Sequence, residues 1–148
     1  MIVNIHKCKE KDFEQELIRA SDFFAKELFS YHLRPHLTVD VIIKTTMEDQ
    51  GSCVVMDYNK RGKPRTFEIE LKSQRRSAMV QTLAHEFVHI KQYARCELKD
   101  DQTKWHKIKI QTEDISYYDL PWEIEASSLE YLLYVMYKEN RKTNIYSK

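Results

Sequence analysis

Apolar residues recur along this chain at two different periods, and the alternation between those periods divides it into helices and strands. Ile2 to Ile5 is a short apolar start suited to a strand. Phe13, Leu17, Ala20, Phe24, Leu28 and Tyr31 then fall at helical spacing. They predict a helix of about five turns, opened by a capping box of Asp12 with Gln15 and ended by Pro35. Three strand-like runs follow, Leu37–Lys44, Ser52–Tyr58 and Arg65–Lys72, and the stretch Asn59 to Pro64 reads as the loop of an antiparallel hairpin. In the last run Phe67, Ile69 and Leu71 alternate with charged or polar residues, the pattern of a half-buried strand. Ser73 is the expected N-cap of a second helix with the apolar stripe Met79, Leu83, Phe87, Ile90 and Ala94. Lys99–Gln111 reads as a polar loop with a short strand around Trp105–Ile110. A last helix starts at or near Pro121 and runs through Ala126, Leu129, Leu133, Met136 and Tyr137 to the polar tail Glu139–Lys148. The order β-α-β-β-β-α-(β)-α predicts an α+β fold. In it a small, mostly antiparallel sheet packs on an N-terminal, a central and a C-terminal helix.

Composition narrows the class without naming a chemistry. A chain of 148 residues with 42% apolar and 32% charged residues is expected to form one globular domain over 1–148. The net charge of +1 gives no global field toward nucleic acid or an anionic membrane. With Gly 2 and Pro 3, flexible linkers are not expected, and no block recurs as a repeat. Cys8, Cys53 and Cys96 form no C-x-x-C pair and are read as free thiols of a reducing compartment. Neither a secretory signal nor a membrane-length apolar run is present, so the expected setting is a cytoplasm, the host's if the protein is viral. A monomer with no membrane partner is expected.

His85-Glu86-Phe87-Val88-His89 changes the picture. Residues four apart on a helix lie one turn above each other, so both imidazoles can reach one metal ion, with Glu86 beside the first. Zinc also needs a third protein ligand and an open position before it supports hydrolysis. Glu123 and Glu125 are the candidates. They point about 200° apart on a helix, so both are not expected at one ion. Glu125 falls on the apolar stripe with Leu129 and Leu133 and needs a partner of its own. It is either the alternative ligand or a group that orients a ligand histidine through its other ring nitrogen.

H-E-x-x-H followed by a helix bearing Glu-x-x-Ala, here Glu123 to Ala126, resembles the gluzincin branch of zinc metallopeptidases. The runs Glu86 to Tyr93 and Tyr117-x-x-x-Pro121-x-Glu123-x-x-Ala126 are also similar to small bacterial and phage zincin-like proteins, the SprT-like ones among them. The likeness spans Thr82 to Leu133. It implies a minimal zincin-like fold and a Zn²⁺ ion held by His85, His89 and Glu123, the last 123 − 89 = 34 residues downstream. It implies an endopeptidase in which Glu86, as general base, takes a proton from a zinc-activated water and passes it to the leaving amine. Tyr117, Tyr118 and His106 are candidate oxyanion donors. Substrates of the class pair as an added strand with a sheet edge, for which Arg65–Lys72 is the expected edge. The alternative is a zincin-like module, stabilised by zinc, that binds a protein regulator or DNA without cutting.

The remaining signals have plainer readings. His6, His32, His36 and His106 are expected at the surface or satisfied in the core, and Trp105 and Trp122 in packing. The basic groups Lys60, Arg61, Lys63, Arg65 and Arg75, Arg76 read as solvated loop charges. SprT-like zincins act near DNA, so a phosphate-binding patch would follow if the hairpin loop and the helix start adjoined; nucleic acid is not the favoured partner.

Overall fold

The protein, described here from a computed structural model over residues 1–146, is α+β. Ser147 and Lys148, the end of the polar tail, lie outside the described residues. Strands β1 (Ile2–His6), β2 (Thr38–Lys44), β3 (Gly51–Tyr58) and β4 (Pro64–Lys72) form one sheet in the order β1-β2-β4-β3. Helices α1 (Lys11–Leu28), α2 (Arg76–Ala94) and α3 (Pro121–Tyr146) complete the frame. A two-stranded ribbon of β5 (Lys104–Trp105) and β6 (Ile108–Lys109) stands where a single short strand is expected. No helix among the described residues is long and apolar enough to cross a membrane.

The sheet is mostly parallel, which corrects the antiparallel expectation. Only β3 and β4 run antiparallel; β1 pairs with β2, and β2 with β4, in parallel. The reason is topological. A helix between two strands is long enough to carry the chain back to its starting end, so β1-α1-β2 is a parallel crossover. The chain then passes over the slot beside β2, lays β3 at the edge, and returns through the hairpin to fill the gap with β4. Asn59 closes that hairpin by accepting the N–H groups of Arg61 and Lys63, and Gly62 takes a positive φ of 75°. As a result β4 is an interior strand, not the expected edge; the edge beside α2 is β3.

One face of the sheet is apolar. Val39, Val41, Phe67, Ile69 and Leu71 are fully buried there. The helices supply Leu17, Phe24, Leu83, Phe87 and Ile90 to the same core, and Phe24 packs against Phe87 of α2 and Tyr137 of α3. The expected stripe of α2 is buried throughout. On the other face Asp40 accepts from Asn4 and meets His6 at 2.9 Å, a polar pairing suited to solvent.

Helix ends differ from the sequence expectation. Asp12 does not form a capping box; its carboxylate is turned to the Arg76 guanidinium at 2.8 Å, and the α1 N-terminus has no side-chain cap. α1 stops at Leu28 because Phe29 takes extended backbone and enters the core, well before Pro35, which lies in a 3-10 turn at Arg34–His36. Ser73 is not a cap either: its N–H donates to the Lys44 carbonyl and prolongs the sheet, so α2 begins three residues later. α2 ends in a Schellman arrangement. The Glu97 N–H reaches the Gln92 carbonyl and the Cys96 N–H that of Tyr93, with Cys96 left-handed at φ 57°. The polar residues from Glu139 to Tyr146 stay helical in α3, tied to α1 by Arg141 and Glu16 at 2.7 Å.

At Gly51, the first residue of β3, the sheet edge packs tightly against α2. A Cβ there would stand 2.7 Å from Thr82 Cγ2, 3.1 Å from the Glu70 carbonyl oxygen and 3.3 Å from Glu86 Oε1. Gly51→Ala is therefore expected to destabilise the fold by about 1–3 kcal/mol through overpacking. The measurement is the melting temperature, and adding Thr82→Ser, which removes the closest methyl, is expected to recover part of the loss. A Gly51→Ala protein as stable as wild type would refute the close approach.

Candidate metal centre between α2 and α3

Each element places its side chains by simple periodicity. His85 and His89 are one turn apart on α2, with ring centroids 4.9 Å apart. On α3, Pro121 sits at the first helical position, and Trp122 and Ala126 face the core at 1% and 0% exposure. That face turns Glu123 inward, where it is 3% exposed. Its carboxylate lies 3.1 Å from His85 Nε2 and 3.0 Å from His89 Nε2.

The opposite ring nitrogens are also held. His85 Nδ1 meets Glu130 Oε1 at 2.9 Å, and Gln81 donates to the other Glu130 oxygen at 3.1 Å. His89 Nδ1 meets Gln92 Oε1 at 2.8 Å. The Gln92 amide donates in turn to the Trp122 carbonyl and to Glu125, at 3.0 and 3.1 Å. Glu125 is paired with Lys91 at 2.8 Å and faces neither imidazole. It acts on His89 only through Gln92.

The donor atoms of His85, Glu86 and His89 lie within 4.8 Å of one another, and this group could hold a metal ion. The other four histidines lie elsewhere. His6 is on the open face of the sheet, His32 stacks on Tyr31, His36 is in the 3-10 turn, and His106 packs on Trp105. Trp122 is buried and Trp105 lies against it, as packing residues do. Cys8, Cys53 and Cys96 are free thiols. A cavity of about 650 Å³ opens between the starts of α1 and α2; Cys8 and Glu10 line it, but none of His85, Glu86, His89 and Glu123 does.

The site's charges are strongly coupled. Burial opposes a charge on His85, yet Glu123 and Glu130 outweigh it and raise its pKa from 6.5 to about 10. His89 is raised too, against burial, by Glu123 and Glu86. Burial works against ionised Glu123, but the two imidazoles bring it from 4.5 down to about 2. Burial lifts Glu86 from 4.5 to about 6, against the pull of His89 and His85. A carboxyl poised there exchanges protons readily near neutral pH.

Of the three candidate oxyanion donors, Tyr117 alone comes to the site. Tyr117 is 58% exposed, and partial burial with the charge of Glu123 raises its hydroxyl above the ordinary value, with Glu86 and Asp49 adding to the effect. Tyr118 is 79% exposed, and His106 belongs with Trp105. Sequence reasoning missed Glu130 and the bridging role of Gln92. Glu130 follows Glu123 by seven residues, two helical turns, so the signal was present in the spacing. Compared with family models, curated proteins and solved structures, the chain matches none.

Two outcomes are expected. Groups that hold a ligand imidazole by its far nitrogen typically carry 10–100-fold of metal affinity. Glu130→Ala is therefore expected to weaken metal binding by about that factor, read by chelator competition, with the fold retained because Glu130 is half-buried. The second concerns pH. In metal-free protein the raised histidines stabilise the fold fully below about 6.5, and that contribution is lost as pH rises through about 10. Raised Glu86 adds a loss in the same direction, from 4.5 through about 6. The Glu123 contribution is complete above 4.5 and lost as pH falls through about 2. The urea midpoint of metal-free protein should thus fall as pH rises above about 6.5, and added metal, which takes neutral histidines, should restore it at alkaline pH. A metal-free midpoint that climbs steadily over that range would contradict the charge assignment.

Proposed function

We propose that this protein is a zinc-dependent peptidase of the gluzincin type, with His85, His89 and Glu123 as zinc ligands and Glu86 as general base. The observation that carries the reading is the placement of Glu123. One buried carboxylate faces both Nε2 atoms while Glu130 and Gln92 hold both Nδ1 atoms. Two imidazoles presented by their Nε2 atoms with one carboxylate form a donor set suited to zinc, and acceptors on the far nitrogens fix the tautomers that such binding needs. Glu125 is spoken for by Lys91 and Gln92, which favours Glu123 as the third ligand. A zinc ion held there supplies Lewis acidity, acidifying a water molecule and polarising a carbonyl.

The chain's own groups then divide the work. Glu86, raised by burial to about 6, takes a proton at its carboxylate, holds it near neutral pH and delivers it to a leaving amine. The Tyr117 hydroxyl, which feels the Glu123 charge, is the candidate donor to a developing oxyanion. β3 offers an edge on which no further strand pairs among the described residues, and its first residue abuts Glu86. An extended polypeptide can add to that edge by main-chain hydrogen bonds and so bring a peptide bond to Glu86. The closeness of Gly51 to Glu86 gives the same edge a second use, since it keeps the carboxylate buried.

Replacing Glu86 by Gln is expected to leave zinc content unchanged while reducing peptide hydrolysis by at least about a hundredfold, the usual weight of a general base. Glu123→Ala is expected to lose stoichiometric zinc, and Glu125→Ala to keep it. Metal analysis joined to a peptide-cleavage assay reads all three. Hydrolysis that survives Glu86→Gln would refute the mechanism. A zinc-loaded wild type that cuts nothing would leave a zinc-held binding module.

A further inference from the structure

The hairpin loop and the helix start do not adjoin, so the condition for a joint basic patch is not met. Arg75 and Arg76 stand at the far end of β4 from the hairpin loop, about 27 Å away by strand rise, and Arg76 is committed to Glu10 and Asp12. The hairpin cluster has other company. A cavity of about 420 Å³ lies between the hairpin and the segment that follows α2. Its walls are Tyr58, Pro64, Tyr93 and Leu98, and Lys99, Lys104 and Lys107 line it as well. Gly62 also lines it, which brings the neighbouring Lys60, Arg61 and Lys63 of the hairpin tip to its mouth.

Two acids, Glu97 and Asp100, also line the cavity, but they are engaged by other groups and leave most of that charge unbalanced. Asp100 is engaged by the Tyr58 hydroxyl, and Glu97 lies between Lys91 and Arg95. Lys99 meets Asp101 at 3.4 Å, both half-exposed. Lys60, Arg61, Lys63, Lys104 and Lys107 have no ion-pair partner among the described residues.

The cavity is joined to the candidate site by two elements. Tyr93, its inner wall, is one helical turn beyond His89 on α2. β3 begins against Glu86 at Gly51 and ends at Tyr58, on the cavity wall. We propose that this pocket selects an acidic residue of the polypeptide substrate, upstream of the bond to be cut; the proposal rests on the peptidase reading above. Added antiparallel to β3, a polypeptide runs from the pocket toward Glu86, so its N-terminal part enters the pocket. From Gly51, which abuts Glu86, to Tyr58 is 58 − 51 = 7 residues of strand, or about 24 Å, which places the acid roughly six to eight residues before the cut. The apolar walls take the side-chain stem and the ammonium groups its carboxylate. A nucleic acid is the poorer fit, because the cations ring one small pocket and form no stripe along which a phosphate backbone could run.

The test uses zinc-loaded, full-length Glu86→Gln protein, which binds without cutting, and fluorescence anisotropy of three labelled peptides. They are identical except for an N-terminal segment of glutamates, glutamines or lysines. The glutamate peptide is expected to bind about tenfold more tightly than the glutamine one, with the advantage shrinking as salt is raised. Lys104→Gln with Lys107→Gln is expected to abolish most of that advantage, with zinc content and melting temperature as controls for folding. A Lys60→Gln, Lys63→Gln pair on the hairpin tests the other rim should the first pair fold poorly. Equal binding of glutamate and glutamine peptides, or an advantage unmoved by both pairs, overturns the proposal. So does an advantage that follows the glutamates to the C-terminal end. A single-stranded oligothymidylate that displaces the glutamate peptide at lower concentration would reassign the pocket to nucleic acid. Failure of the peptidase reading looks different: wild type would bind the glutamate peptide and never cleave it.

Discussion

A carboxylate that is 3% exposed can persist only if it is answered by partners, and Glu123 is answered by two imidazoles from a different helix. That requirement fixes the register of α3 against α2. Sliding α3 by one residue would rotate Glu123 by about 100° and leave a buried charge alone. Ala126, without exposure, allows the two helices to come close at this point. Gln92 reinforces the fit from the α2 side by donating to the Trp122 carbonyl, a main-chain group one residue before Glu123. Net gains from single hydrogen bonds are about 1 kcal/mol, but leaving such buried groups unmet costs more. The network therefore acts less as glue than as a penalty on every other register.

The same constraint ties the electrostatics of the site to its chemistry. Without metal, protonated His85 and His89 neutralise Glu123, and Glu86 sits in the field of all three. The arrangement of ion pairs is already that of a ligand set, since the lone pairs and protons that meet at Glu123 are the ones a cation would take over. A cation held there would take the place of the two imidazolium protons. The layer behind it is organised too. Gln81 and Glu130 stand behind His85, and Gln92, Glu125 and Lys91 behind His89. Lys91 also reaches Glu97, so the chain of contacts extends from His89 into the segment that follows α2.

Much of this was legible in the sequence, and the illegible parts share a cause. Local periodicity placed α2 and α3 and turned His85 and His89 to one side, because a helix repeats at a fixed angle and needs no knowledge of its neighbours; it left Glu123 and Glu125 both open. The hairpin of β3 and β4 was legible from Asn59 and Gly62 for the same reason. Strand direction was not, because β1, β2 and β4 alternate alike whether they pair parallel or antiparallel. Only the path of α1 across the sheet decides it. The helix ends misled because Asp12 and Ser73, both good caps in isolation, are drawn off by Arg76 and by the Lys44 carbonyl. Glu130 was legible in principle, two turns past Glu123, yet its role appears only once His85 is known to need an acceptor at Nδ1.

The change of edge strand matters more than the other corrections, because it decides what a ligand meets along the sheet. With β4 as the edge, an added strand would have run beside Thr66, Glu68 and Glu70. With β3 as the edge it meets Val54, Met56 and Tyr58, which are 47%, 55% and 44% exposed. An apolar, unpaired edge invites pairing with any extended chain, and natural sheets usually blunt it with charge or cover. Here the cations stand at one end, in the lysines and arginine around the pocket beyond Tyr58, while the other end is occupied by Gly51 and Glu86. A net charge of +1 hides that separation, since the acids that balance it lie mostly elsewhere on the molecule. An edge that exposes Val54, Met56 and Tyr58, with cations beyond one end and a carboxylate at the other, is polarised. Polarity of this kind gives an added polypeptide a preferred direction, which main-chain hydrogen bonds alone supply only through the modest advantage of antiparallel pairing.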